Sequence, residues 1–255
     1  MKTSVLFECN IISILFLQEK LMMLRVAIKK QPDETMCGPT CLHAIYEYYN
    51  DSIALEQVIN EINQLEEGGT LGAWLAVHAL NRGYCATIYS YHLQIFDPTW
   101  FVYNSSFMQE KLKKQLEFKT DPKLKTATNA YLQFLELGGK LKFEDLRTTL
   151  LRRYLNKNQP VISGLSATYL YRSPREFGAD LIYDDLRGEP AGHFVVLHGY
   201  NKESREISVA DPIMENPLGM GQSYEMKIDR VLNAILLGNV TYDANLIIIT
   251  PGKVK

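Results

Sequence analysis

An α+β fold, with a helical N-terminal part packed on an antiparallel sheet, is predicted by three features of the chain. Apolar residues recur every three to four positions through much of the first two thirds. β-branched segments crowd the last third, and two of them, 192–200 and 205–211, flank the polar turn Asn201-Lys202-Glu203-Ser204 as a hairpin. No internal repeat or low-complexity linker divides the 255 residues.

Each element follows from its own pattern. LRVAIKK, just after Met22 and Met23, reads as a first strand. Residues 38–50 place Cys41, Leu42, Ile45, Tyr48 and Tyr49 at helical spacing. The same period returns over 53–62 behind Ser52, an expected N-cap. A third helix is expected over 70–83, opening at Thr70 and closing at Gly83. YCATIYSY (84–91) is β-branched and aromatic, hence a strand, and 96–100 is a turn. Helices are expected over 105–117, from Asp121-Pro122 to Gly138-Gly139, and over 143–157. Strands are expected at 160–165, in the hairpin, at 223–228 and at 244–250, with a short helix around 229–237.

The whole-chain numbers limit the function. An apolar fraction of 46%, a charged fraction of 22% and a net charge of −2 describe an ordinary globular chain. No run of basic charge favours nucleic acid or an anionic membrane. Four cysteines, Cys9, Cys37, Cys41 and Cys85, do not make a disulfide scaffold in a chain this long, which favours a reducing cytoplasm. Residues 1–22 carry an apolar run interrupted by Glu8 and Asn10, too short and polar to span a bilayer, and read as an N-terminal extension. No transmembrane segment is expected elsewhere, and nothing fixes the oligomeric state.

The chemistry starts at Gln31–Tyr49, QPDETMCGPTCLHAIYEYY. A thiol at a helix N-terminus, or beside a protonated histidine, ionises more easily than a free one. Cys37 stands where a helix begins, Gly38 removes bulk beside the sulfur, and Pro39 suits a first turn, where its missing N–H is not needed. Of the histidines, His43 falls about 240° round the helix from Cys37. His78 and His92 read as structural or solvated. His193 opens an apolar strand directly after Gly192, and His198, an odd number of residues later, faces the other side. The hairpin returns to Asp211 near His193, where a carboxylate would fix the ring's tautomer. Gln31, six residues before Cys37, would hold an oxyanion together with the Cys37 backbone N–H.

In this order and wording, the residues resemble papain-like cysteine peptidases. Gln31-x5-Cys37-Gly38-Pro39-Thr40-Cys41-Leu42, then Gly192-His193-Phe194-Val195-Val196-Leu197, then Asp211-Pro212, are most similar to the bacterial double-glycine leader peptidases and their stand-alone relatives. The resemblance covers roughly 31–92 and 158–212. It implies Cys37 as nucleophile, His193 as base, Asp211 as its orienter and Gln31 as oxyanion donor. It also implies a papain-like fold, a peptide or protein substrate and no cofactor. Residues 23–255 would then be one peptidase domain with a helical insertion at about 96–157. Members borne on transporters carry membrane helices and an ATP-binding loop that this chain lacks, so a stand-alone enzyme is implied. The chain's own pairs Gly68-Gly69 and Gly138-Gly139 read as helix ends, since Glu66 and Glu136 stand where a leader carries an apolar residue.

Rival readings share these residues. Cys37 alone would be a buried structural thiol. Cys37, Cys41 and His193 as a zinc site lack a paired knuckle and a fourth ligand. The same triad would also serve an acyltransferase, a transglutaminase-like enzyme or an amidase, because an acyl-enzyme is resolved by water or by an amine. The segment 171–192 has no sustained period, and a loop this long in a compact domain reads as a substrate lid. Its Arg172 and Arg175, separated by Pro174, are expected to read an acidic group or a C-terminal carboxylate, or else to pair with Glu176, Asp180, Asp184 or Asp185 in a solvated loop.

Overall fold

The computed structural model describes residues 21–178 and 180–252. The expectations for residues 1–20 and Cys9 lie outside the described residues. Eight strands form one sheet in the order β3-β2-β10-β4-β7-β8-β9, with β1 also pairing β7. The strands are β1 (Leu21–Met23), β2 (Cys85–Ser90), β3 (Lys140–Lys142), β4 (Val161–Ser166), β7 (Gly192–Asn201), β8 (Glu206–Ala210), β9 (Ser223–Lys227) and β10 (Asn245–Thr250). All pairings are antiparallel except β2 with β3. A separate small hairpin joins β5 (Glu176–Phe177) to β6 (Ile182–Tyr183).

Helices cover both faces of the sheet. On one face, Leu42 and Ile45 of α1 (Cys37–Tyr48), Leu75 of α3 (Gly72–Asn81) and Phe134 of α5 (Pro122–Glu136) meet Ile88, Ile162, Phe194, Val196 and Ile247. On the other face, Leu150 and Leu151 of α6 (Thr148–Leu155), Leu170 of α7 (Ala167–Tyr171) and Val231 and Ile235 of α8 (Ile228–Leu237) meet Val161, Val195, Leu197, Val209 and Ile248. β4, β7 and β10 are therefore buried on both sides, which explains their nearly unbroken apolar sequences. The expected α+β class holds, but the helices sandwich the sheet.

Several local expectations shift. LRVAIKK is not a strand: β1 ends at Met23, and the chain leaves the sheet after one further backbone bond, Leu24 N–H to the His198 carbonyl at 2.7 Å. α2 spans only Leu55–Glu61, behind Ala54 with no side-chain cap, so Ser52 does not cap it. Thr70 likewise leaves the start of α3 to Leu71, and its hydroxyl donates to the Asn63 carbonyl at 2.8 Å. Residues 96–100 enter a 3₁₀ turn, Pro98–Val102, closed by Asp97 accepting from the Thr99 N–H. The helix expected over 143–157 is the shorter α6, and the parallel strand β3 precedes it.

Other signals hold. α4 spans Ser105–Gln115 with an Asn104 cap, and α5 starts at Pro122 with Asp121 accepting from the Leu124 N–H. Gly138, at φ 84°, terminates α5. Gly68 and Gly69 also have positive φ, 89° and 78°, but they form a loop well past α2 and do not end it. The segment 171–192 is not a bare loop. It contains the β5–β6 hairpin, tied to the approach of β7 by the Glu176–Glu189 bridge.

Candidate active site

Cys37 is the first residue of α1, behind Met36, which offers no capping side chain. The exposed N–H groups of that first turn therefore face the sulfur's surroundings. Gly38 has a packing reason as well as the expected steric one. A Cβ there would lie 2.6 Å from Thr70 Cγ2 and 3.3 Å from both Leu75 Cδ1 and Phe194 Cδ2. The helix start is thus pressed against the residue following His193. Cys41, one turn deeper and fully buried, donates its thiol to the Phe194 carbonyl at 3.2 Å. Burial, then the charges of Cys37 and Asp211, push the Cys41 thiol well above the ordinary range. It therefore stays a protonated donor and ties α1 to β7.

His193 is the second residue of β7 and is 4% exposed. Its Nε2 lies 3.0 Å from Asp211 Oδ1, and the Cys37 side chain is near enough for its charge to act on the ring. Burial disfavours the charged ring, but the negative charges of Asp211 and Cys37 overcome it, raising its pKa to about 10.

Asp211 follows β8, and its partner register differs from simple counting along a regular hairpin. Val196 pairs with Ala210 and Leu197 with Val209, and a bulge then intervenes before Gly199 pairs with Ser208. Continued one step, that register sets Asp211 opposite Val195, a same-face diagonal neighbour of His193. The fully buried carboxylate also accepts from the Tyr171 and Tyr224 hydroxyls through Oδ2, at 2.7 and 2.8 Å, and from the Ile213 N–H through Oδ1 at 3.0 Å. Burial works against its charge, but His193 and these donors hold its pKa below the usual carboxylate range. Tyr171 and Tyr224 were not legible in sequence. They lie 40 residues before and 13 residues after Asp211, with no motif linking them.

Gln31 is buried, with its N–H donating to the Pro212 carbonyl at 3.0 Å. The turn before Cys37 is thereby stitched to the residue after Asp211. Its side-chain Nε2 donates to the Asp33 carbonyl at 2.8 Å, which leaves the second amide hydrogen free for another acceptor.

The two arginines do not form a pair. Arg175 Nη2 donates to the Asp185 carbonyl at 2.5 Å, within its own loop. Arg172 ends α7 in the left-handed region, at φ 55°. Burial and then the charge of Arg172 lower the Arg230 pKa. The hairpin still reaches the site: burial and the charge of Glu34, from the turn before Cys37, raise the Glu176 pKa, while His193 lowers it. The other histidines are structural. His43 bonds the Ile53 carbonyl at 3.0 Å, His78 lies between Tyr46 and Glu61, His92 is buried against Tyr242, and His198 bonds the Leu24 carbonyl at 2.8 Å.

A family model described as Peptidase C39 like matches residues 23–232. The chain belongs to the Peptidase C39 like family. It is a cysteine peptidase of that family. Among curated proteins none matches. Solved structures resembling this C39-like chain include a C39-like peptidase from Bacillus anthracis, with TM-score 0.48 and 14% identity over 89% of this chain and 96% of that one. Xylellain, a cysteine protease from Xylella fastidiosa, has TM-score 0.45 and 11% identity over 92% and 87%. A double-glycine protease from a peptidase-containing transporter, in complex with its leader peptide, has TM-score 0.43 and 15% identity over 90% and 94%. No helix among the described residues is long and apolar enough to cross a membrane.

Proposed function

We propose that this C39-like chain cleaves a peptide bond through a Cys37 thioester, in a papain-like arrangement of Cys37, His193, Asp211 and Gln31. The observation that carries the reading is the His193 ring at the start of β7, bonded to a buried Asp211, with the helix start bearing Cys37 packed against that strand. His193 takes the thiol proton of Cys37 as general base. The Cys37 thiolate attacks the scissile carbonyl carbon, and the carbonyl oxygen becomes an oxyanion. The free hydrogen of the Gln31 amide and the Cys37 N–H stabilise it. The C–N bond then breaks as His193 gives its proton to the leaving amine. Water attacks the thioester, His193 takes its proton, and the thiolate leaves with the acid product. Asp211 keeps the ring oriented and its positive charge compensated throughout.

Among the described residues Arg172 has no bonded carboxylate, and it is the better placed of the two arginines to take an acidic group of the substrate. Arg175 acts within the loop that covers the site. Residues 23–255 act as one peptidase domain with the helices of 96–157 inserted, residues 1–22 preceding it as an extension, in a reducing cytoplasm. Hydrolysis is tested by screening a peptide library with the wild-type chain and with Cys37→Ala. Cleavage that vanishes in the variant, with products carrying a free carboxylate, is expected. Cleavage surviving in Cys37→Ala overturns the assignment. Products joined to an added amine replace hydrolysis with acyl transfer.

A further inference from the structure

One buried carboxylate beside the catalytic pair has no part in that chemistry. Asp243 lies between the 3₁₀ turn Gly238–Thr241 and β10, and is 7% exposed. Its backbone is fixed on both sides: its N–H donates to the Gly238 carbonyl at 2.9 Å, and its carbonyl accepts from the Asn245 N–H at 2.7 Å. The side chain runs to the start of β7. A Cβ built on Gly192 would lie 1.8 Å from Asp243 Oδ2 and 2.8 Å from Thr241 Oγ1. Glycine is therefore required at 192 because the carboxylate occupies the space a side chain would take. That carboxylate is one residue from His193.

Among the described residues no cation is bonded to Asp243. Thr241 lies beside its side chain at Gly192, and the Thr241 hydroxyl donates to the Gly238 carbonyl at 3.2 Å. Burial raises its pKa to about 7, and Thr241, Lys123 and His193 only partly oppose this. Lys123, from α5, is paired with Glu67 of the loop beside Cys37, and its Nζ stands 5.4 Å over the Tyr242 ring. The protein thus already places an ammonium on the aromatic wall next to Asp243, but ties it to another carboxylate. A desolvated carboxylate without a counter-charge is costly, and a cation brought by a ligand relieves that cost. The ring face adds attraction for the same charge.

We propose that Asp243 is a specificity residue that receives a cationic group of the peptide, guanidinium or ammonium, in a subsite formed with Gly192 and the Tyr242 ring. This rests on the peptidase reading and adds its substrate class, a basic peptide. A substrate lacking the cation would leave the carboxylate unpaired, so discrimination falls on the charge and not on side-chain size.

Binding to the Cys37→Ala chain reads the subsite without turnover. The probes are N-acetylated hexapeptide amides with arginine scanned through every position, each matched by its uncharged citrulline analogue. A second series without arginine compares free with acetylated N-termini. At one position arginine is expected to bind about tenfold or more tighter than citrulline, and adding Asp243→Asn should bring that ratio to about one. A preference for the free N-terminus, lost in the same variant, identifies the α-ammonium as the source of the charge. Tyr242→Leu, which keeps the carboxylate, should reduce the ratio several-fold. Asp243→Asn should melt no lower than its parent at pH 8, because it removes a buried charge. A ratio of one in the parent for every position and for the N-terminus overturns the proposal. So does a ratio that Asp243→Asn leaves unchanged. Cleavage surviving in Cys37→Ala would overturn the peptidase reading alone and leave this comparison standing.

Discussion

The ionisation of one histidine sets the pH behaviour of the site. Its folded pKa, about 10, lies above the ordinary 6.5. The protonated ring therefore contributes stability that is complete below about 6.5 and is lost as pH rises through about 10. Alkylation of Cys37 by iodoacetamide should accordingly be faster in the wild-type chain than in His193→Ala at the same pH, because an imidazolium beside a sulfur favours its reaction. Peptide mapping is needed because Cys85 is exposed, contrary to its apolar sequence setting, whereas Cys41 is buried and should stay unmodified in the folded chain. A Cys37 rate that His193→Ala leaves unchanged would remove the ion pair from the mechanism. His193→Ala should abolish turnover, and Asp211→Ala should reduce it less, because Asp211 transfers no proton. Gln31→Ala should lower kcat by about 10²–10³, the usual effect of losing one oxyanion donor, with Cys37 alkylation unchanged. An unaltered kcat would reduce Gln31 to the turn residue that its bond to Asp33 already makes it.

At the scale of elements, the site is a junction of α1, β7, β8, α7 and β9. α7 and β9 each contribute one tyrosine hydroxyl to the same oxygen of Asp211. Hydrogen bonds to buried charges contribute about 1.5–3 kcal/mol. Tyr171→Phe and Tyr224→Phe should each lower stability by about that much and reduce kcat more than they raise KM, because the carboxylate orienting His193 loses a support. Measured kcat and KM alongside denaturant melts decide this. A pure stability loss with normal kcat would make the tyrosines structural only. Cys41 docks α1 against β7 in the same way. Cys41→Ser keeps a donor toward the Phe194 carbonyl, and Cys41→Val does not, so the valine variant should lose more kcat at equal folding.

At the scale of the molecule, β4, β7 and β10 send alternate side chains into two cores, one on each face of the sheet. Neither core can open without exposing strands that line the other. Leu42→Ala on one face and Leu151→Ala on the other should each cost about 2–5 kcal/mol and move a single calorimetric transition downward. Two separable transitions would show that the faces unfold independently. The same central strand, β7, carries His193 at the start of its pairing with β4 and ends against β1 and β8.

Much of this was written in short-range sequence. The helix opening at Cys37, the cap at Asp121, the hairpin around 201–204 and the apolar strands each depend on residues within a few positions of one another. Backbone geometry enforces those spacings locally. Cys37, His193 and Asp211 were legible for the same reason, since each stands at or beside the start or end of a recognisable element, whereas Gln31 lies on the irregular stretch before α1. The bulge that sets Asp211 diagonal to His193, the two tyrosines on its far oxygen, the separation of Arg172 from Arg175 and the carboxylate of Asp243 against Gly192 belong to tertiary structure. These contacts join segments from 13 to more than 50 positions apart, where no periodicity relates the partners. The sheet order, the parallel strand β3 and the helices on both faces were likewise decided by packing, because a strand buried on two sides carries no alternation to say what covers each side.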